Sequence, residues 1–131
     1  MITDTFDNKS KAIINPQINA DAPRVDACIL TFSHMIEQFV LEHYECSRIG
    51  TFWLATGETP IWQIAYKGKK FAFYKTYVGA PACVVTVEDS LAVIRTKEYI
   101  VFGGAGCLDR EIAHGKVMVP TEAYRDEGTS Y

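Results

Sequence analysis

The stretch from Tyr99 to Gly106, Tyr-Ile-Val-Phe-Gly-Gly-Ala-Gly, constrains this chain more than any other, because a short apolar run empties directly into a cluster of glycines. An unbroken apolar run of strand length, bounded by glycine, is the pattern of a strand buried on both faces of a largely parallel sheet. Gly103, Gly104 and Gly106, with Ala105 between them, leave a loop with almost no side-chain bulk at the carboxyl end of that strand. Ligands of open α/β sheets sit at that end, where bare backbone N–H groups can approach an anion.

The rest of the chain supplies the elements such a sheet needs. Val25–Phe32 reads as the first strand. Ser33 stands at an N-cap position, and Met35, Ile36, Phe39 and Val40 recur at helical spacing up to His43. Tyr44–Ala55 mixes apolar with small and polar residues, and Thr56-Gly-Glu-Thr-Pro60 reads as a turn. Ile61–Tyr66, the turn Lys67-Gly-Lys-Lys70 and Phe71–Thr76 read as a hairpin, which makes the expected sheet mixed. Pro81 suits the first turn of a helix whose expected apolar face is Val84, Val87, Leu91 and Ile94, and the run at Tyr99 then reads as the central strand. Beyond the glycine loop, Leu108–His114 is a charged connection, Lys116–Pro120 is extended again, and Thr121–Tyr131 is polar. Residues 1–24, polar and holding Pro16 and Pro23, read as an N-terminal arm before one domain over 25–131.

Composition removes several classes of function. A length of 131 residues suits a single domain with a proper core, and 48% hydrophobic against 22% charged residues excludes a disordered chain. A net charge of −3 gives no footprint for nucleic acid, since Lys67–Lys70 is a short turn rather than a basic face. No run of 18 apolar residues occurs, and Asp4 and Asp7 stand where a signal peptide would be basic and then apolar, so the expected setting is cytoplasmic, away from membranes. Cys28, Cys46, Cys83 and Cys107 form no Cys-x-x-Cys pair and read as reduced, buried thiols. His34, His43 and His114 make no metal spacing, so no metal is expected.

Four groups of residues could carry chemistry. The glycine cluster fails as a dinucleotide fingerprint, because Cys107, Leu108 and Asp109 follow it without a third spaced glycine, and it fails as a Walker loop for want of Gly-Lys-Ser/Thr. An anion-binding loop and a plain tight turn both fit what remains. Gly79-Ala80, between a strand and a helix, offers its amides and the positive helix end to an anion, or merely lets the chain turn. Asp109, Glu111 and His114 have the residue types of an acid/base trio but lie in a connection without a nucleophile, and are expected to be solvated. Arg125, beside Asp126 and Glu127, can hold an anion or polar ring, or brace a loop through ion pairs.

Taken in order, Val78-Gly-Ala-Pro81, the amphipathic helix, Phe102-Gly-Gly-Ala-Gly-Cys-Leu-Asp109, Gly115-Lys-Val-Met-Val-Pro120 and Arg125-Asp-Glu-Gly-Thr-Ser-Tyr131 resemble the purine nucleoside and uridine phosphorylase family over roughly residues 25–131. The resemblance implies an α/β fold with a mixed central sheet flanked by helices, assembled as dimers that often build hexamers. It implies cleavage of the N-glycosidic bond of a purine or pyrimidine nucleoside, with inorganic phosphate as nucleophile and co-substrate and no cofactor; related nucleosidases use water. Gly103, Gly104, Ala105 and Gly106 match the family's phosphate and ribose loop, Gly79 and Ala80 the loop facing it, Ser33 falls near the other phosphate loop, and Arg125 begins the base-side segment.

The departures from the family pattern shape the expectation further. Gly104 stands where many members have serine or threonine, Val101 where some have arginine, and Thr31-Phe-Ser-His34 where many have a Gly-Asp-Pro loop with an arginine. Members run to about twice this length, so the resemblance implies the N-terminal half of a phosphorylase, a truncated domain with weak or no turnover by itself. A non-catalytic module that binds a nucleoside or anion, or that keeps the oligomer interface, is the alternative expectation, and an unstable remnant the third.

Overall fold

The computed structural model describes residues 7, 9–11, 13–15, 18–55, 57–124 and 126–129. Their core is a mixed five-stranded sheet with helices against it, the α/β architecture expected. In chain order the elements are β1 (Ala27–Thr31), α1 (His34–His43), β2 (Cys46–Leu54), β3 (Gly57–Tyr66), β4 (Lys69–Lys75), α2 (Ala80–Val93), β5 (Tyr99–Val101) and α3 (Arg110–Ala113). The sheet order is β2-β3-β4-β1-β5. β1 runs parallel to β4 and β5, while β2, β3 and β4 form an antiparallel meander.

Local chemistry explains most of these elements. The hairpin turn between β3 and β4 needs only Lys67 and Gly68, both at positive φ (49° and 75°), the backbone that two-residue hairpins with the sheet's twist require. α1 starts at Ser33, whose Oγ accepts from the Ile36 N–H, and α2 starts at Gly79 with proline in its first turn. Cys28, Leu30, Ala72, Tyr74, Phe52 and Ile61 form the buried core on the α2 side, capped by Ile94. On the opposite side, α1 lies over Ile29, Phe71, Phe73 and Ile100 and buries none of its own residues completely. Gly50 faces the last turn of α2: a Cβ there would fall 2.0 Å from Val93 Cγ1.

Five expectations change. First, the Tyr99 run is an edge strand, not the central one. β1 lies inside the sheet, and Ile100, Val101 and Phe102 are exposed because, among the described residues, β5 pairs with β1 alone. An apolar run carries the same signature whether its outer side is covered or bare. Second, the Thr56–Pro60 turn is mostly strand: β3 begins at Gly57, and Thr51 pairs with Pro60. Pairing of β3 with β4 begins only at Trp62, so the proline sits where that side of the strand has no ladder to interrupt.

Third, α2 buries Thr86 and Ser90 while Val84 lies exposed. The Thr86 hydroxyl donates to the Cys83 carbonyl (2.9 Å) and pairs with Thr76 (2.7 Å), and the Ser90 hydroxyl donates to the Val87 carbonyl (2.6 Å) and pairs with Tyr99 Oη (2.7 Å). These bonds satisfy the hydroxyls and let small residues face the sheet. Fourth, only Cys28 is buried; Cys46 and Cys83 are half-buried and Cys107 is exposed, though all four are free thiols. Fifth, the extended run expected at Lys116–Pro120 is no strand: Lys116 lies in a bend, the residues after it have no regular structure, and Val117 and Val119 stand in solvent.

Candidate functional site

Because β1, β4 and β5 are parallel neighbours, their carboxyl ends open on the same edge of the sheet. Thr76 N–H donates to the Thr31 carbonyl (2.8 Å) and Phe102 N–H to the Leu30 carbonyl (2.9 Å), so the segments leaving the three strands start side by side. Those segments carry Ser33 after β1, Gly79 and Ala80 after β4, and Gly103–Gly106 after β5. Residues drawn from three separate parts of the sequence thus share one end of the fold. Arg125 lies outside the described residues.

Each segment offers donors in a different way. Ser33 has φ −97° and ψ 120°, the extended backbone of a cap; its Oγ accepts from Ile36 N (3.4 Å) while its own N–H donates to Thr31 Oγ1 (3.2 Å). The hydroxyl proton of Ser33 is not used by that cap. Gly79 sits at φ +107° with no side chain to cap α2, and no acidic residue occupies the first turn of that helix. The early N–H groups of α2 therefore keep their partial positive charge unneutralised by a carboxylate. Gly103, Gly104 and Gly106 are exposed, and a Cβ placed on any of them would meet nothing within 4 Å. Nothing within the described chain therefore requires glycine there.

A cation missed by sequence reasoning completes this edge. Lys75 ends β4 opposite Thr31, and its Nζ lies 3.8 Å from Glu37 Oε2, which also meets His34 Nδ1 at 3.2 Å. Two interstrand spacings, about 10 Å, separate the β4 and β5 lines. The signal that could have found Lys75 is its place as the last residue of a hairpin strand running parallel to β1. Periodicity gave no reason to single it out from the other lysines of that hairpin.

Below the edge, the floor is buried and neutral. Burial pushes the Cys28 thiol up to about 12 and raises Tyr74 and Tyr99, so these groups stay protonated beneath α2. Tyr74 Oη is buried without a hydrogen-bond partner among the described residues. Thr86 lies near it, but the Thr86 hydroxyl is committed to Thr76 and Cys83. On the α1 side, a cavity of about 480 Å³ is lined by apolar residues including Met35, Phe39, Phe73 and Phe102. With no charged donors in its lining, it is no receptor for an anion.

Asp109, Glu111 and His114 do not assemble into an acid/base trio and are solvated, as expected. Asp109 caps α3, accepting from Glu111 N (3.0 Å) and Ile112 N (3.1 Å), while Glu111 and His114 are solvent-exposed. No cluster of three potential metal ligands occurs among the described residues, and no helix among them is long and apolar enough to cross a membrane.

The sequence model of the phosphorylase superfamily matches residues 30–131. The chain belongs to the phosphorylase superfamily. The match spans Ser33, Gly79–Ala80 and Gly103–Gly106, so every loop gathered at the carboxyl edge lies within the phosphorylase region. None of the curated proteins matches the chain. Membership bears out the resemblance drawn from the glycine loops, and the mixed sheet with flanking helices agrees with it.

Proposed function

We propose that this chain forms the phosphate and ribose side of a nucleoside phosphorylase site, at which inorganic phosphate cleaves the N-glycosidic bond of a purine or pyrimidine nucleoside. The convergence of three donor-bearing segments on the parallel strand ends β4-β1-β5 carries this reading, and superfamily membership supports it. In the reaction a phosphate oxygen bonds to C1′ as the C1′–N bond breaks. The bonding pair leaves with the base, which takes up a proton, and the sugar departs as the 1-phosphate.

The bulk-free Gly103–Gly106 loop brings backbone N–H donors against phosphate and ribose, and the acid-free start of α2 at Gly79 and Ala80 adds a partial positive charge. The Ser33 hydroxyl retains a proton to donate. Lys75 supplies a formal charge where Val101 replaces the arginine of some family members and the Thr31–His34 loop the arginine-bearing loop of many. Arg125 takes the base side. No cofactor is needed, since phosphate is the nucleophile. We assign the chain to cytoplasmic nucleoside metabolism as a homo-oligomer, a dimer or a hexamer built of three dimers.

Turnover is slow in this reading, because the glycine loop is open to water and an oxocarbenium-like centre gains little from donors that solvent screens. Calorimetric titration of phosphate, alone and with a nucleoside present, tests the proposal. Saturable phosphate binding that tightens with nucleoside is expected. Absence of phosphate binding, or base release at a rate indifferent to phosphate, overturns it.

A further inference from the structure

The amino ends of the parallel strands enclose a second cleft, at the opposite end of the sheet from the glycine loop. It holds about 610 Å³, between the segments that enter β1, β4 and β5 and the end of α2. A volume of that order suits a small organic ligand. Arg24, Lys70, Arg95 and Lys97 line it, and Val25, Leu91 and Ile94 give it an apolar wall. Val25 and Ile94 belong to the core, so that wall is fixed.

The cations are gathered without counter-ions. An isolated parallel bridge sets Arg24 in register with Arg95 on adjacent segments, and like charges at paired positions repel. The Arg95 guanidinium donates to the Ala20 carbonyl (2.6 Å), and none of the four cations makes an ion pair among the described residues. Two carboxylates also line the cleft: Asp26 accepts from the Lys70 N–H (2.8 Å), and Glu98 precedes β5. Two acids against four cations leave two positive charges in excess, in a chain whose net charge is −3. The carboxyl end of α2 offsets only about half a charge of that excess.

We infer that this cleft binds an organic anion of at least two negative charges that also carries an apolar ring, the chemistry of a nucleoside diphosphate. Its phosphates meet Arg24, Lys70, Arg95 and Lys97, which supply the missing counter-charge, and its ring lies against Leu91 and the wall behind it. The site does not depend on the phosphorylase reading, because it lies at the other end of the strands and shares no residue with the Ser33, Gly79–Ala80 and Gly103–Gly106 segments.

Calorimetric titration with adenosine diphosphate and with inorganic pyrophosphate, both free of divalent metal, tests the inference. Adenosine diphosphate is expected to bind saturably, more tightly than pyrophosphate, and more weakly as salt is added. Arg24→Glu combined with Lys97→Glu should lower its affinity about tenfold or more, and Gly104→Ala should leave it unchanged. Lys97→Ala, which alters one exposed side chain without a charged partner among the described residues, should cost about two- to fivefold and reads the same site if the charge reversals lower the unfolding midpoint. Absence of binding, affinity kept in the charge variants, or pyrophosphate binding as tightly as adenosine diphosphate would overturn the inference. Weakening by Gly104→Ala would also overturn it, since the ligand would then sit at the glycine loop.

Discussion

Replacing Gly104 by alanine separates what the fold requires of the glycine loop from what a ligand requires. The added Cβ meets no atom within 4 Å, and Gly104 does not occupy the left-handed region of backbone space. The substitution therefore introduces neither a clash nor strain, and a reduced unfolded-state entropy should raise stability by about 0.4–1 kcal/mol. On the ligand side the methyl group occupies space that an anion needs in order to reach the backbone donors. Loss of one charge-assisted hydrogen bond is worth about 1.5–3 kcal/mol, equivalent to a rise of roughly tenfold to a hundredfold in the phosphate dissociation constant. Thermal unfolding without ligand and phosphate calorimetry on the same preparations read the two effects apart. Slightly raised stability with weakened phosphate binding is the expected pair. If Gly104→Ala binds phosphate as well as the parent chain, the loop is a turn and the reasoning fails; if it unfolds, the glycine is structural after all.

Gly50→Ala should behave in the opposite way, since its Cβ would lie 2.0 Å from Val93 Cγ1; overpacking of this kind costs about 1–3 kcal/mol, visible as a lowered unfolding midpoint in urea. Lys75→Met should weaken phosphate binding several-fold, with a shallower salt dependence than the parent, whereas a purely structural role through Glu37 would lower stability by at most about 1 kcal/mol and leave phosphate binding alone. Because the folded Cys28 thiol titrates near 12 rather than at its ordinary 9.0, its contribution to stability is complete below pH 9 and should fall by about 1 kcal/mol per pH unit above it, with Tyr74 and Tyr99 adding to the loss above pH 10. Urea unfolding at pH 8 and pH 10.5 measures that slope, and Cys28→Ala should flatten it even though the cavity it leaves lowers the baseline. Tyr74→Phe should be neutral or slightly stabilising in the same assay at pH 8, because the hydroxyl it removes is buried without a partner among the described residues.

Much of the architecture was legible because local signals agree with it. Ser33 as a cap, the apolar spacing of α1, the Lys67-Gly68 turn and Pro81 at the start of α2 each specify their element from neighbours alone. What sequence could not resolve is which apolar surfaces find partners. The Tyr99–Phe102 run reads as central by hydrophobicity, yet it is an edge, because sheet order depends on crossovers that periodicity does not encode. The buried face of α2 was read correctly at Val87 and Ile94 but missed Thr86 and Ser90, which look polar until their bonds to Thr76, Tyr99 and the helix carbonyls are known. At the candidate site, glycine content and order in the chain pointed to Gly79 and Gly103–Gly106, since absent side chains are themselves a signal. Lys75 escaped notice because its importance comes from β4 lying beside β1, a long-range pairing. The Asp109–Glu111–His114 grouping was legible, because suggestive residue types in a connection without a nucleophile read as solvated, and they are a helix cap and two solvated side chains.

Product identity tests the central claim most directly. The chain, at a concentration comparable to the nucleoside so that slow chemistry registers, is incubated with a purine and with a pyrimidine nucleoside, with and without inorganic phosphate. Sugar products are then separated by charge. The account predicts ribose 1-phosphate, formed in proportion to bound phosphate and reduced in Gly104→Ala. Free ribose produced at a rate indifferent to phosphate, or ribose 1-phosphate produced equally well by Gly104→Ala, would contradict it.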